Sequence, residues 1–137
     1  MQRTWIDRLK RITIIALPFV VMGLCILFDQ LSKLYFKNLY LEKRGDTKVI
    51  NNFFYFTYTL NTGAAWSFLA DVSWAQTFFK IFTLCSLILF AFFMYYAYKK
   101  KFKWLQYSLA LIIAGTIGNF IDRLLYNGVI DFLLTET

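Results

Sequence analysis

Three long runs without a charged residue decide what this chain can become. Residues 12–28, 81–98 and 104–121 contain no Asp, Glu, Lys or Arg, and a charge borders each run on both sides. Crossing about 30 Å of hydrocarbon takes roughly 20 apolar residues, and polar or aromatic flanks can sit in the interface. Runs of 17, 18 and 18 residues therefore read as three transmembrane helices within one integral-membrane domain spanning 1–137. Composition agrees, since 59% of the residues are hydrophobic, against roughly 45–50% in an ordinary soluble domain.

The first run follows Arg3, Arg8, Lys10 and Arg11, as the apolar core of a cleaved signal peptide would. It is long, contains Pro18, and ends in FDQ rather than a small-x-small cleavage site, so a retained span is expected. The run VMGLC resembles a lipid-attachment site ending at Cys25, but Leu24 stands where a small residue is needed. Cys25 and Cys85 both lie within apolar runs and read as packing residues.

Fifteen Lys and Arg against eight Asp and Glu give a formal charge of +7. These charges collect at the ends of the apolar runs, the pattern that writes membrane orientation rather than nucleic-acid binding. The amino-terminal stretch has four basic residues and Asp7, and the connection KKKFK after the second run has four basic residues and no acid. Both belong on the cytoplasmic side. Residues 29–77 then lie outside, where Asp29, Glu42, Asp46 and Asp71 offset most of Lys33, Lys37, Lys43, Arg44 and Lys48. The third span emerges on that same outer side near Asp122.

Within the external segment, Gly45 and Asp46 make a turn before VINNFFYFTYTLNTG, which is rich in aromatic and β-branched residues. Phe54, Phe56, Tyr58 and Leu60 alternate with Tyr55, Thr57, Thr59 and Asn61. The expected architecture is an all-α membrane protein with three transmembrane helices. A small extended or β layer would lie on its outer face between helices 1 and 2. A folded loop with an aromatic anchor is the simpler alternative for that segment.

No histidine is present, which excludes Ser-His-Asp and Cys-His nucleophile systems and two-His zinc sites. The acids are too sparse for a metal cage, and no phosphate-cradling glycine loop occurs. Carboxylates remain. Asp29 and Lys33 are four apart and share a face if the first helix continues past the interface. Such a pair finishes a helix in the headgroup region as readily as it builds a site. In the third run Ala110, Ala114 and Gly118 form a small-residue stripe that lets a neighbouring helix approach, and four residues on comes Asp122. A charge within a span costs from ~2.5 kcal/mol upward unless it faces a partner or a wet cavity. Asp122 therefore points into the bundle, either as part of a functional site or as a helix-terminal ion pair with Arg123 or Lys33. Asn119 lies one turn earlier. Asp131 follows the turn pair Asn127 and Gly128 in GVIDF. A solitary carboxylate in apolar surroundings is disfavoured as an anion, which suits a group that must hold or donate a proton.

Four stretches, DQLSK at 29–33, LNTGAAWSF at 60–68, GTIGNFIDR at 115–123 and GVIDF at 128–132, together resemble the lipoprotein signal peptidases, also called signal peptidase II. The resemblance implies an aspartyl endopeptidase of the bacterial inner membrane, working at its outer face. It would remove signal peptides from diacylglyceryl-modified prolipoproteins before the lipidated cysteine. Asp131 matches the first catalytic aspartate of that family. Asn61, Gly63, Asn119, Asp122 and Arg123 match polar residues around the site, and Asp29 and Lys33 match the first motif. No cofactor or metal is implied. The partners implied are prolipoprotein substrates and membrane lipids, and a monomer is expected. The family's second aspartate opens a fourth transmembrane helix in an asparagine-x-alanine-aspartate motif, which these 137 residues do not contain. The expectation is therefore a carboxyl end outside and little or no activity for this polypeptide alone, with Asp122 a poor substitute because Arg123 is beside it. The competing reading is a non-enzymatic small membrane protein that binds lipid or docks a partner through its small-residue stripe.

Overall fold

The computed structural model describes residues 4–43, 45–50, 53–64 and 68–135. Three helices, α1 (Trp5–Lys43), α2 (Ala75–Lys99) and α3 (Lys103–Tyr126), are each long and apolar enough to cross a membrane. Helix α1 begins at Thr4, whose Oγ1 accepts the Asp7 N–H and donates to Asp7 Oδ2 at 2.8 Å, so the first turn is capped by a side chain and carries an acid at its positive end. It then runs for 39 residues, well past the apolar run at 12–28. Its last turns carry Asp29 and Lys33 on a continuous helix, which satisfies the condition for the two to share a face.

Helix α2 hands over to α3 within three residues. Lys101 takes a left-handed conformation, φ 59°, while Phe102 N–H donates to Ala97 O and Lys101 N–H to Tyr98 O. That double bond is a Schellman closure, which satisfies the last carbonyls of α2 and reverses the chain tightly enough for α3 to return alongside. In its apolar window α3 is 39% buried, against 6% for each of α1 and α2, so α3 is the central helix with the other two laid against it. Met94 and Ala97 of α2 pack with Leu109, Ala110 and Ile113 of α3 to form the core.

The small-residue stripe is used inside this chain. Ala110 and Ala114 are almost wholly buried, and Gly118 is buried against α1. A methyl group added at Gly118 would run into the Asp29 carboxylate, whose Cγ would be only 3.1 Å away. Gly115 faces open space. Gly118 thus sets the approach of α1 to α3, while Ala110 belongs to the core that α3 shares with α2.

The extended layer exists and is larger than expected. Strands β1 (Thr47–Ile50), β2 (Phe54–Asn61) and β3 (Val129–Thr135) form an antiparallel sheet in the order β1-β2-β3. The third strand comes from beyond α3, so segments far apart in sequence close the layer. A register shift between Phe56 and Thr59 separates the pairing Phe56 with Leu133 from Thr59 with Asp131. Phe36 of α1 stacks on Phe56 at 4.3 Å and on Phe132 at 4.7 Å, pinning both strands to the end of the bundle.

Gly118→Leu is expected to lower the melting temperature of the purified protein in detergent, at a cost of ~1–3 kcal/mol from overpacking. Gly115→Ala should leave it unchanged or raise it, and equal losses at the two glycines would contradict this packing.

Candidate functional site

Where α1 and α3 meet the sheet, the polar residues singled out in the sequence converge. Lys33 is buried, and its Nζ lies 2.7 Å from Asp122 Oδ2 and 2.9 Å from Asp29 Oδ2. Asp122 is fully buried, with Gln30 Nε2 donating to its Oδ1 at 3.2 Å and Ile130 N–H donating to its Oδ2 at 3.1 Å. Gln30 Nε2 also lies 3.0 Å from Asp29 Oδ2 and 3.3 Å from Gly118 O. A buried carboxyl group is costly unless it is paired and hydrogen-bonded, and Asp122 has three donors from α1 and β3. Of the two ion-pair partners open to Asp122, Lys33 is the one it takes.

Arg123 points elsewhere because adjacent residues on a helix diverge by about 100°. Its Nη2 donates to Gly63 O at 3.0 Å and its Nη1 to Gln76 Oε1 at 3.2 Å, while the guanidinium lies 4.5 Å above the Phe79 ring. The stretch from Asn61 to Ala64 is shaped for this contact. Asn61 Oδ1 accepts the Gly63 N–H at 2.9 Å, and Asn61 Nδ2 donates to Ala64 O at 2.9 Å. Gln76 Nε2 also donates to Thr62 O in a very short contact. Asn61, Gly63 and Arg123 thus form one unit clamping the turn after β2 onto α2 and α3. The remainder of that motif, 65–67, lies outside the described residues.

Asp131 occupies a different environment from the apolar enclosure its neighbours suggested. It is exposed on β3, on the wall of a hollow of about 250 Å³ that it shares with Asp29, Lys33 and Asn119. Its apolar neighbour Ile130 turns to the buried side of the strand, so alternation leaves the carboxylate on the open side. Among the described residues none hydrogen-bonds or ion-pairs that carboxylate; its backbone carbonyl accepts from Thr59 Oγ1 at 3.3 Å.

Position is imposed on Asp131 from both sides. Asn127 caps α3 in the left-handed conformation, φ 55°, and Lys80 Nζ donates to its Oδ1 at 2.9 Å. Gly128 follows where a side chain would meet Asn61 O at 2.8 Å, so a glycine is required for β3 to lie beside β2. Ile130 is then tied to Asp122.

Gln30, Gln76, Phe79 and the Ile130 amide were not foreseen as parts of this assembly. Gln30 sat in plain view inside DQLSK. Gln76 and Phe79 gave no local signal, because only the return of α2 against α3 brings them to Arg123.

Three helices of membrane-crossing length, closed at one end by a small sheet and a hollow lined by carboxylates, define an integral membrane protein whose polar groups gather at one end of the bundle. Residues 21–137 match the family model for signal peptidase (SPase) II, and the chain belongs to that family of proteases. It is similar to the lipoprotein signal peptidase of Chromobacterium violaceum, 37% identical over 120 residues that cover 86% of this chain and 72% of the relative. It is also similar to that of Bacillus pumilus, 42% identical over 118 residues, covering 83% and 70%. Two solved structures of a bacterial membrane enzyme share the fold, with TM-scores of 0.66 and 0.67 at 29% and 31% identity. Each covers 88% of this chain, and 70% and 74% of the solved chains are covered in turn.

Breaking the triad of Lys33 with Asp122 and the half-buried Asp29 tests its structural weight. Lys33→Met should destabilise the protein by ~3–5 kcal/mol, because it strands two carboxylates without their cation. Adding Asp29→Asn should recover part of that loss, as read by thermal melts in detergent. An unchanged melt for Lys33→Met would refute the triad.

Proposed function

We propose that Asp131 is a catalytic carboxylate for removal of signal peptides from diacylglyceryl-modified prolipoproteins, at the outer face of a bacterial inner membrane. One observation carries this reading: Asp131 is the carboxylate left open on the polar hollow, while Asp122 is consumed by Lys33, Gln30 and the Ile130 amide. In a two-aspartate mechanism one carboxyl keeps a proton and polarises the scissile carbonyl, while the other activates water. Asp131 is free for either task.

The supporting groups divide the remaining work. Asn119 and Lys33 border the hollow and can donate hydrogen bonds to a substrate carbonyl, and Asp29 holds Lys33 in place. Arg123 keeps the Asn61–Ala64 turn against the bundle. The outward assignment of this end rests on charge, since Lys10, Arg11, Lys99, Lys101 and Lys103 cluster around the opposite end of the bundle.

Asp122 is a poor partner for Asp131, because both of its oxygens are already taken by Lys33, Gln30 and the Ile130 amide. Asp29 borders the hollow but is paired with Lys33. These 137 residues therefore offer one free carboxylate at the hollow, where a two-aspartate mechanism uses two. The purified 137-residue polypeptide is expected to leave a lipidated prolipoprotein uncut. The same polypeptide joined to the carboxy-terminal segment of a relative should cut it, and Asp131→Asn should abolish that cleavage, lowering the rate by at least about 10³-fold. Cleavage by the 137 residues alone would overturn the single-carboxylate reading, and cleavage that survives Asp131→Asn would overturn the role of Asp131. A reporter fused after Thr137 should be found outside the cytoplasm; a cytoplasmic signal would reverse the orientation.

A further inference from the structure

The end of the bundle away from the sheet holds a second, larger hollow, of about 850 Å³, between the first turns of α1 and the α2–α3 connection. Lys10, Arg11, Lys99, Lys101 and Lys103 line it, with Asp7 the one acid among its lining residues. Asp7 is itself engaged by Thr4 Oγ1. Five exposed cations around one space make a field of one sign that attracts anions.

One buried polar atom of a residue lining this hollow has no hydrogen-bond partner among the described residues. Gln106 lines it and is 1% exposed; its Nε2 donates to Ala97 O at 3.2 Å, while its Oε1 is buried with no hydrogen-bond partner among the described residues. An unsatisfied buried acceptor calls for a donor, such as a hydroxyl or an ammonium.

Directly adjoining lies an apolar groove of about 590 Å³, formed by Phe19 and Met22 of α1, Leu87, Ala91 and Met94 of α2, and Ile113 of α3. Tyr95 and Tyr98 line both spaces and so mark the junction. Tyr98 O–H donates to Ile15 O at 2.6 Å and its ring stacks on Phe19 at 5.8 Å, which holds α1 and α2 together there. Leu87 and Tyr98 are eleven positions apart on α2, about 16 Å at the α-helical rise. That is close to half of a ~30 Å hydrocarbon layer, the depth of one leaflet.

A cationic hollow at the headgroup level, opening onto an apolar groove one leaflet deep, has the form of a phospholipid. We propose that this end of the bundle binds one anionic glycerophospholipid. Its phosphate lies among Lys10, Arg11, Lys99, Lys101 and Lys103, a headgroup hydroxyl donates to Gln106 Oε1, and one acyl chain lies in the groove. Basic pockets between helices are suited to such headgroups, and the aromatic rings at Tyr95 and Tyr98 sit where an interface residue belongs. The site involves none of the residues around Asp131 and does not depend on which end faces the cytoplasm.

The test is native mass spectrometry of the full 137-residue protein in detergent, titrated with phosphatidylglycerol or phosphatidylcholine of the same chain length. The expected result is one retained phosphatidylglycerol, bound at least about tenfold more tightly than phosphatidylcholine. The preference should fall about fivefold for each lysine removed in Lys101→Gln and Lys103→Gln. Ala91→Trp, on the open side of the groove, should weaken both lipids, and thermal melts would show that it still folds. Lys37→Gln with Lys48→Gln, at the sheet end, should leave the preference intact. Equal binding of the two lipids would overturn the proposal, as would an equal loss from the sheet-end changes. So would equal competition by inorganic phosphate, which lacks the acyl chain, or displacement of the lipid by an apolar helical peptide that binds the groove more tightly.

Discussion

Everything at the sheet end depends on one buried ammonium. Lys33 sits between Asp29 on its own helix and Asp122 on α3, at 2.9 and 2.7 Å. Taking Lys33 and Asp122 out of water costs several kcal/mol for each ion, and attraction at low dielectric offsets it only when the remaining donors and acceptors are also matched. They are matched here by Gln30, which bridges both carboxylates, and by the Ile130 amide. The result favours one arrangement strongly over others: slide α1 by a turn, or rotate α3 by one residue, and a carboxylate is left without its cation. A network of this kind fixes geometry more than it adds stability.

Fixed geometry is what the neighbouring strand receives. The Asp122 carboxylate belongs to α3 and the Ile130 amide to β3, so the bond between them transfers the position of the bundle to the sheet. Asn127 and Gly128 make the change of direction, the first through a left-handed cap and the second by leaving room for Asn61 O. Asp131 then follows on a strand that pairs with β2 on both sides of a register shift. Its backbone is held by neighbours on both sides, and its side chain is left open. The strand thus fixes where the carboxylate starts and leaves its oxygens without a partner among the described residues.

The sequence made the local relationships legible and left the distant ones open. The three spans follow from charge-free length, and the Asp29–Lys33 pair from a spacing of four on a helix. Asp122 announced itself as an inward carboxylate because it continues the stripe from Ala110. Its partner stayed ambiguous, since Arg123 is nearest in sequence and Lys33 is 89 positions away; helical geometry turns the adjacent residue away and brings the remote one in. Strand β3 was unreadable for the same reason. GVIDF is short and apolar, and nothing within it tells that it pairs with β2 across two intervening helices. The expected apolar setting of Asp131 failed at this point, because strand alternation buries Ile130 and exposes its neighbour, an outcome that depends on the strand existing.

Gly118 and the charged triad are parts of one device. Lysine reaches Asp122 from α1 only if the two helix axes lie close, and at Gly118 the absence of a side chain on α3 allows that approach. At Gly118 the fit is tightest: the Asp29 side chain takes the space a β-carbon would fill, and Gln30 donates to the Gly118 carbonyl. Apolar packing alone discriminates poorly between registers in a bilayer, because lipid tails are as apolar as leucine. Polar pairing alone is costly when its partners are loosely held. Here Gly118 supplies proximity and the triad supplies register, and α1 can satisfy both in one position against α3, the position that places Asp131 at the rim of the hollow.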